Sequence, residues 1–183
     1  MRTTADITAA LRDEATRRVA FDRLTGEYLR PLYWHVRRLV VSHEEAEDVV
    51  QETFVRAYDR IGDFRGGDGE LRAWLYRIAT RAAFSALRRR RRSIFVSLDA
   101  VSRELAGAVA DEAGPDADEV SVRFQQAVLR LPEKQRLVFN LRYYDELPYA
   151  EIARILGQRE ESLKVNYHHA VKRLKEKLKT ETI

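Results

Sequence analysis

The chain has 183 residues, enough for one ordinary domain or two small ones, and 45% of them are hydrophobic against 34% charged. It contains no Cys, which excludes a disulfide framework, thiol chemistry and thiolate metal sites. The net charge is only +4, but the two signs are segregated along the chain, and neither a secretory signal nor a run approaching a membrane span is evident, so a cytoplasmic protein without membrane insertion is expected.

Helix signals dominate; eight Gly and four Pro interrupt them, and no alternating strand pattern stands out. Residues 1–19 read as an N-terminal extension. Between 17 and 41, Phe21, Leu24, Tyr28, Leu32, Val36, Leu39 and Val40 form a helical stripe that tolerates Pro31. Ser42 with Glu45 three residues on makes a capping box, and the acidic first turn suits the positive end of the next helix dipole. Ala46, Val49, Val50, Phe54, Ala57 and Ile61 give that helix its packed side. Asp48, Gln51, Glu52 and Arg56 share an exposed face opposite, and its carboxylates favour a protein partner over DNA. A glycine-rich loop, Asp63 to Glu70, leads into a helix that buries Trp74, Leu75, Ile78, Ala82 and Leu87. From Leu71 to Arg92 this helix carries Arg72, Arg77, Arg81 and Arg88 to Arg92 and no acidic residue. Arginines that track phosphates, with Phe64, Trp74, Tyr76 and Phe84 nearby, are the combination that favours single-stranded nucleic acid. Trp74 is expected to be structural rather than base-stacking.

Composition then changes. From Asp99 to Val120 seven acidic residues face one basic residue, Arg103, among Ala, Gly and Pro, so residues 96–119 read as a flexible acidic linker. A second helical domain, 120–183, opens with Val120, Phe124, Val128 and Leu131 on one helix; Pro132 starts another that carries Leu137, Val138 and Leu141. Pro148 to Leu178 then reads as a helix with Ile152, Ala153 and Leu156 on one face, a tight turn at Gly157, and a longer basic helix. Leu163, Tyr167, Ala170, Val171, Leu174 and Leu178 form the buried side of that last helix. Lys164, Lys172, Arg173, Lys175, Lys177 and Lys179 stay outside with Glu176, which describes a DNA-binding helix-turn-helix. The fold class is therefore all-α, with two small helical domains, 20–95 and 120–183.

Three stretches in this order resemble a bacterial RNA polymerase sigma factor of the sigma-70 family, extracytoplasmic-function type: AEDVVQETFVRAYDRI, LRAWLYRIATRAAFSALRRRRR, and LPEKQRLVFNLRYY continuing through PYAEIARILG into the basic helix. The resemblance covers roughly residues 20 to 180. It implies a protein that binds core RNA polymerase, reads the −35 and −10 promoter elements and promotes strand opening. It gives Asp48, Gln51, Glu52 and Arg56 to the clamp of the largest polymerase subunit, and the flap region as a further polymerase partner. It gives Arg65, Gly66, Arg72, Arg77, Arg81, Arg88 and Arg89 to the −10 element, with a flipped-base pocket in the Asp63 to Glu70 loop. It gives the −35 element to Arg159, Glu161, Ser162, Lys164, Val165, Asn166 and His168, with Lys172 and Arg173 touching phosphates. It implies an anti-sigma factor as regulator, and the acidic linker is a candidate occupant of positive polymerase channels.

Three positions depart from the family pattern. Arg81 stands where Asn is usual and Ser85 where Asp is usual, which bears on −10 preference. Pro148 replaces the Ser or Thr that usually caps the first helix of the helix-turn-helix, and Asp145 is the expected substitute. No catalysis, cofactor or metal site is expected: there is no phosphate-binding Gly-Lys loop, nucleophile elbow or HExxH pair, and the adjacent His168 and His169 point in different directions on a helix. The alternative function is a free-standing helix-turn-helix regulator that binds DNA without polymerase, which leaves the acidic helix unexplained.

Overall fold

The computed structural model describes residues 5–93 and 119–180, and every regular element among them is helical. The first half contains α1 (Ala5–Arg12), α2 (Arg17–Val40), α3 (His43–Arg60), a 3-10 turn (Ile61–Asp63) and α4 (Asp68–Ser93). The second contains α5 (Glu119–Leu129), α6 (Glu133–Tyr143), α7 (Tyr149–Leu156) and α8 (Glu160–Thr180). The expected linker, 96–119, lies outside the described residues apart from Glu119, and the side chains of Arg90, Arg91 and Arg92 lie outside them too.

Local chemistry sets the helix ends. Pro31 sits inside α2, which continues unbroken to Val40. Only Val41 and Ser42 join α2 to α3; Val41 has φ 70°, unusual for a β-branched residue, and Ser42 then accepts the Glu45 N–H at 3.4 Å as the N-cap of α3. Gly157 takes φ 66° and its N–H returns to Ala153 O at 2.8 Å, ending α7 and turning the chain into α8.

Helices α2, α3 and α4 pack around Leu24, Leu32, Val36, Val49, Leu71 and Leu75, all buried. Residues 1–19, expected only as an extension, contain α1, which seats Ile7, Thr8 and Leu11 against α2, α4 and the 3-10 turn. The second half has its own small cluster of Ala127, Val128, Leu131, Phe139, Ala170 and Leu174, where the Phe139 ring stacks on Tyr167 at 5.8 Å. The two halves also meet. Leu137, Leu141, Leu147, Ile152 and Ile155 join the core of the first half, with α7 lying on α4 and α6 touching α2. That contact helps to explain why α4 is buried over a wide arc, Ala73, Ala79, Ala82, Ala83 and Ala86 included: small residues let helices approach from more than one side.

Candidate nucleic-acid interface

Three surfaces gather the residues expected to act, and the structure treats them differently. On α3, Asp48, Gln51 and Arg56 are exposed and Glu52 is half-buried, so the four share an open face. Glu52 and Arg56 pair with each other one turn apart, and the carboxylate of Asp48 stays in solvent. Val55 is 56% exposed on the same helix, and Leu29 of α2 is 50% exposed across a groove that also meets Trp34 and Gln51. A face of mixed apolar and acidic character suits a protein surface.

Arg77, Arg81 and Arg88 fall within about 40° of one another around the α4 axis, with Phe84 beside them. Arg81, Arg88 and Arg89 are exposed; Arg89 donates to Ser85 Oγ at 3.4 Å, so the Ser85 departure leaves a hydroxyl that an arginine can use. The loop before α4 places Arg65 and Gly66 at its N-terminal end. Arg65 donates to Gly62 O at 2.8 Å, and the Phe64 ring packs on Trp74 at 5.2 Å. Tyr76 is 4% exposed, 4.9 Å from the His35 ring, and burial pushes its hydroxyl pKa upward. It is core and offers no face to a base. Trp74 is half-buried and packs against the core of the first half.

Arg72 and Arg77 are engaged by the second half. Arg72 donates through Nε and Nη2 to the two carboxylate oxygens of Glu151, which is 3% exposed in the first turn of α7. This pairing raises the Arg72 pKa further and keeps the guanidinium charged. Arg77 donates to the carbonyl of Arg154. A second contact lies alongside. His35, fully buried, bonds through Nδ1 to Asp145 Oδ2 at 2.9 Å and through Nε2 to Thr80 Oγ1 at 2.9 Å. Arg38 reaches the other Asp145 oxygen at 3.3 Å and lies 4.3 Å over the Tyr144 ring. Tyr28, at the rim near Arg72 and Glu151, has its pKa pushed up to about 12 by burial and by Glu27.

Asp145 therefore does not cap α7, contrary to expectation. Pro148 is the N-cap with no side-chain bond, and the Glu151 and Ile152 N–H groups return to Pro148 O at 2.9 and 3.1 Å. Asp145 is drawn to His35 and Arg38 because two donors on α2 outweigh one helix-end N–H.

The third surface is α8. Arg159 precedes it, and Arg159, Glu161, Ser162, Lys164, Val165, His168, Lys172 and Arg173 are exposed. Asn166 is half-buried and donates to Ser162 O at 2.9 Å, and Lys164 lies 4.0 Å from Glu160. Leu163, Ala170 and Leu174 face inward as expected. The first-turn side chains of α8 can thus enter a groove while its inner side holds the cluster.

Sequence reasoning passed over His35 and Glu151. His35 sits among Leu32, Val36 and Leu39 on the buried stripe of α2, and Glu151 is one turn before Ile155 on the apolar side of α7. A polar residue on an apolar stripe was the available signal.

Comparison with known proteins gives these surfaces a context. Residues 24–93 match the family described as sigma-70 region 2, and residues 121–174 match sigma-70, region 4. The ECF RNA polymerase sigma factor SigW of Bacillus subtilis is 31% identical over 168 residues, 87% of this chain and 89% of that one. The ECF RNA polymerase sigma-E factor of Escherichia coli is 37% identical over 145 residues, 75% of each chain. CnrH, solved in complex with the cytosolic domain of CnrY, superposes with a TM-score of 0.71 at 21% identity over 97% of each chain. The sigma factor RpoE of Bartonella quintana, solved with the anti-sigma factor NepR, gives 0.67 at 25% identity over 87% of this chain and 96% of that one.

Proposed function

The chain belongs to the sigma-70 family of RNA polymerase sigma factors, in its extracytoplasmic-function group, and from that membership we propose how its three surfaces divide the work. As a sigma factor it binds RNA polymerase and acts in transcription initiation without being an enzyme. The exposed face of Asp48, Gln51, Glu52 and Arg56 docks on the clamp of the largest subunit, and the 120–183 half meets the flap region. The 63–70 loop and the arginine face of α4 take the −10 element, and the N-terminal part of α8 takes the −35 element. Lys172 and Arg173, further along α8, grip phosphates and fix register.

The observation that carries this reading is the arginine face of α4, which runs beside a glycine-rich loop in the same chain as a helix-turn-helix. Arg77 and Arg88 are eleven residues apart, about 16 Å along the helix axis, which matches roughly five nucleotides of one strand. Arg72 is bound by Glu151 in this conformation, and a phosphate would compete for the same guanidinium. The two halves therefore separate before the −10 strand is gripped, and polymerase supplies the separation by holding each half at its own site. An anti-sigma factor is a further partner, on the precedent of the RpoE relative solved with NepR.

Permanganate reactivity of unpaired thymines tests the opening role. Intact protein with core polymerase is expected to open the −10 region of a cognate promoter, and a variant with Arg77→Ala and Arg81→Ala is expected to open it far less. Equal reactivity with the variant removes this face from strand opening.

A further inference from the structure

The helix α1 ends at a side chain that reaches the loop proposed to receive a base. We infer that Arg12 is a positioning residue for that loop, holding residues 64–66 in one shape before DNA arrives. The inference rests on the proposed −10 role of the loop.

The geometry is a chain of fixed groups. Ile7, Thr8 and Leu11 anchor α1 in the core, and Leu11 is 1% exposed. Arg17 then secures the last turn: its Nε donates to Leu11 O at 3.1 Å and its Nη2 to Arg12 O at 3.2 Å. These carbonyls would otherwise lack intrahelical partners, so the Arg12 backbone is held at a helix end that frays without them. The Arg12 side chain crosses to the loop, where Nε donates to Phe64 O at 3.2 Å and Nη2 to Gly66 O at 2.7 Å. One rigid guanidinium fork thus fixes two carbonyls on either side of Arg65. Arg65 is left exposed, with its own guanidinium on Gly62 O.

The rest of the loop agrees with a preformed shape. A Cβ on Gly66 would lie 2.6 Å from the Phe64 ring and 2.9 Å from the Glu70 side chain, so ring and carboxylate have closed over that backbone. Glu70 also accepts the Gly67 N–H at 2.9 Å, which starts α4 in half of a capping box. A loop with glycines at 66 and 67 loses much backbone freedom on ordering, on the order of 1–2 kcal/mol per residue. Ordering it in advance removes that cost from DNA binding and lets the loop discriminate between bases. Discrimination is the property at stake, because a slack loop accommodates a wrong base more readily than a fixed one.

The test uses full-length protein assembled with core polymerase, and measures competition between promoters that differ at single bases of the −10 or the −35 element. Arg12→Ala is expected to lower −10 discrimination about tenfold, the worth of one charge-assisted hydrogen bond net of solvent, and to leave −35 discrimination and core binding unchanged. Arg12→Lys keeps the charge and helix propensity but lacks the fork, and is expected to recover less than half of the loss. Hydrogen exchange should quicken at residues 62–67 in both variants and nowhere else. Gly66→Ala separates the inference from the reading beneath it. If Gly66→Ala abolishes −10 discrimination while both Arg12 variants retain it, the loop reads DNA and Arg12 does not position it. If all three variants retain it, the loop reading itself falls. Equal losses at both elements, full rescue by Lys, or exchange that rises throughout the first half would each overturn the positioning role.

Discussion

Replacing Glu151 by Gln should loosen the contact between the two halves and raise affinity for −10 single strand. Glu151 is nearly isosteric with Gln, so packing beside Ile152 and Ile155 is kept while the charge is lost. The magnitude lies between two limits. An exposed pair contributes about 0–1 kcal/mol, and breaking a buried one costs about 3–5 kcal/mol. Here the carboxylate side chain is 5% exposed and the Arg72 side chain 44% exposed, so the pair is buried on one side only. An intermediate loss of about 2 kcal/mol follows, because the Gln amide oxygen can still accept one of the two bonds. That shifts the closed-to-open ratio about 30-fold. Apparent affinity scales with the open fraction, so a mostly closed protein should bind a −10 oligonucleotide up to about 30-fold more tightly after the change. The assay pairs strand binding by anisotropy with a label-to-label distance between α3 and α8. Glu151→Gln should lengthen the distance and raise affinity together. Arg72→Ala should lengthen the distance with a smaller gain, because a phosphate-binding group goes with it. An unchanged distance and unchanged affinity in Glu151→Gln would refute the argument that this pair holds the halves together. A lengthened distance with no change in affinity would refute competition between Glu151 and DNA.

Reversing charge with Asp48→Lys and Glu52→Lys should abolish co-purification with core polymerase while circular dichroism stays unchanged, since both side chains reach solvent on α3. Lys164→Ala or Asn166→Ala should change base preference at the −35 element by about 1–3 kcal/mol per lost contact, whereas Lys172→Ala should weaken all sequences alike and lower the salt dependence; competition binding at two salt concentrations distinguishes them. Gly157→Ala should destabilise the second half by about 1 kcal/mol, read by chemical denaturation, because φ 66° disfavours a side chain even where a Cβ meets nothing within 4 Å.

The helices and their outward faces were legible in the sequence because their causes are local. The 3.6-residue spacing of Val49, Val50, Phe54 and Ala57 identifies the inner side of α3, and the same spacing leaves Asp48, Gln51 and Arg56 outside. Ser42 with Glu45 starts α3, and Gly157 sets the turn before α8, each through bonds within a few residues. The order of these elements carried the family. Tertiary structure decided which charged residues find partners. Glu151 lies 79 residues from Arg72, Asp145 lies 110 from His35, and Arg12 lies 54 from Gly66. No periodicity encodes such a pair. A carboxylate in a first helical turn reads as a helix-dipole partner until another helix is laid upon it. Burial then removes water from one side, and the nearest guanidinium or imidazole becomes the better partner. For the same reason the capping role expected of Asp145 went to no side chain, and the N-terminal extension proved to contain a packed helix. Local propensity fixes which face a helix turns outward, but the company its charges keep follows from which helices meet.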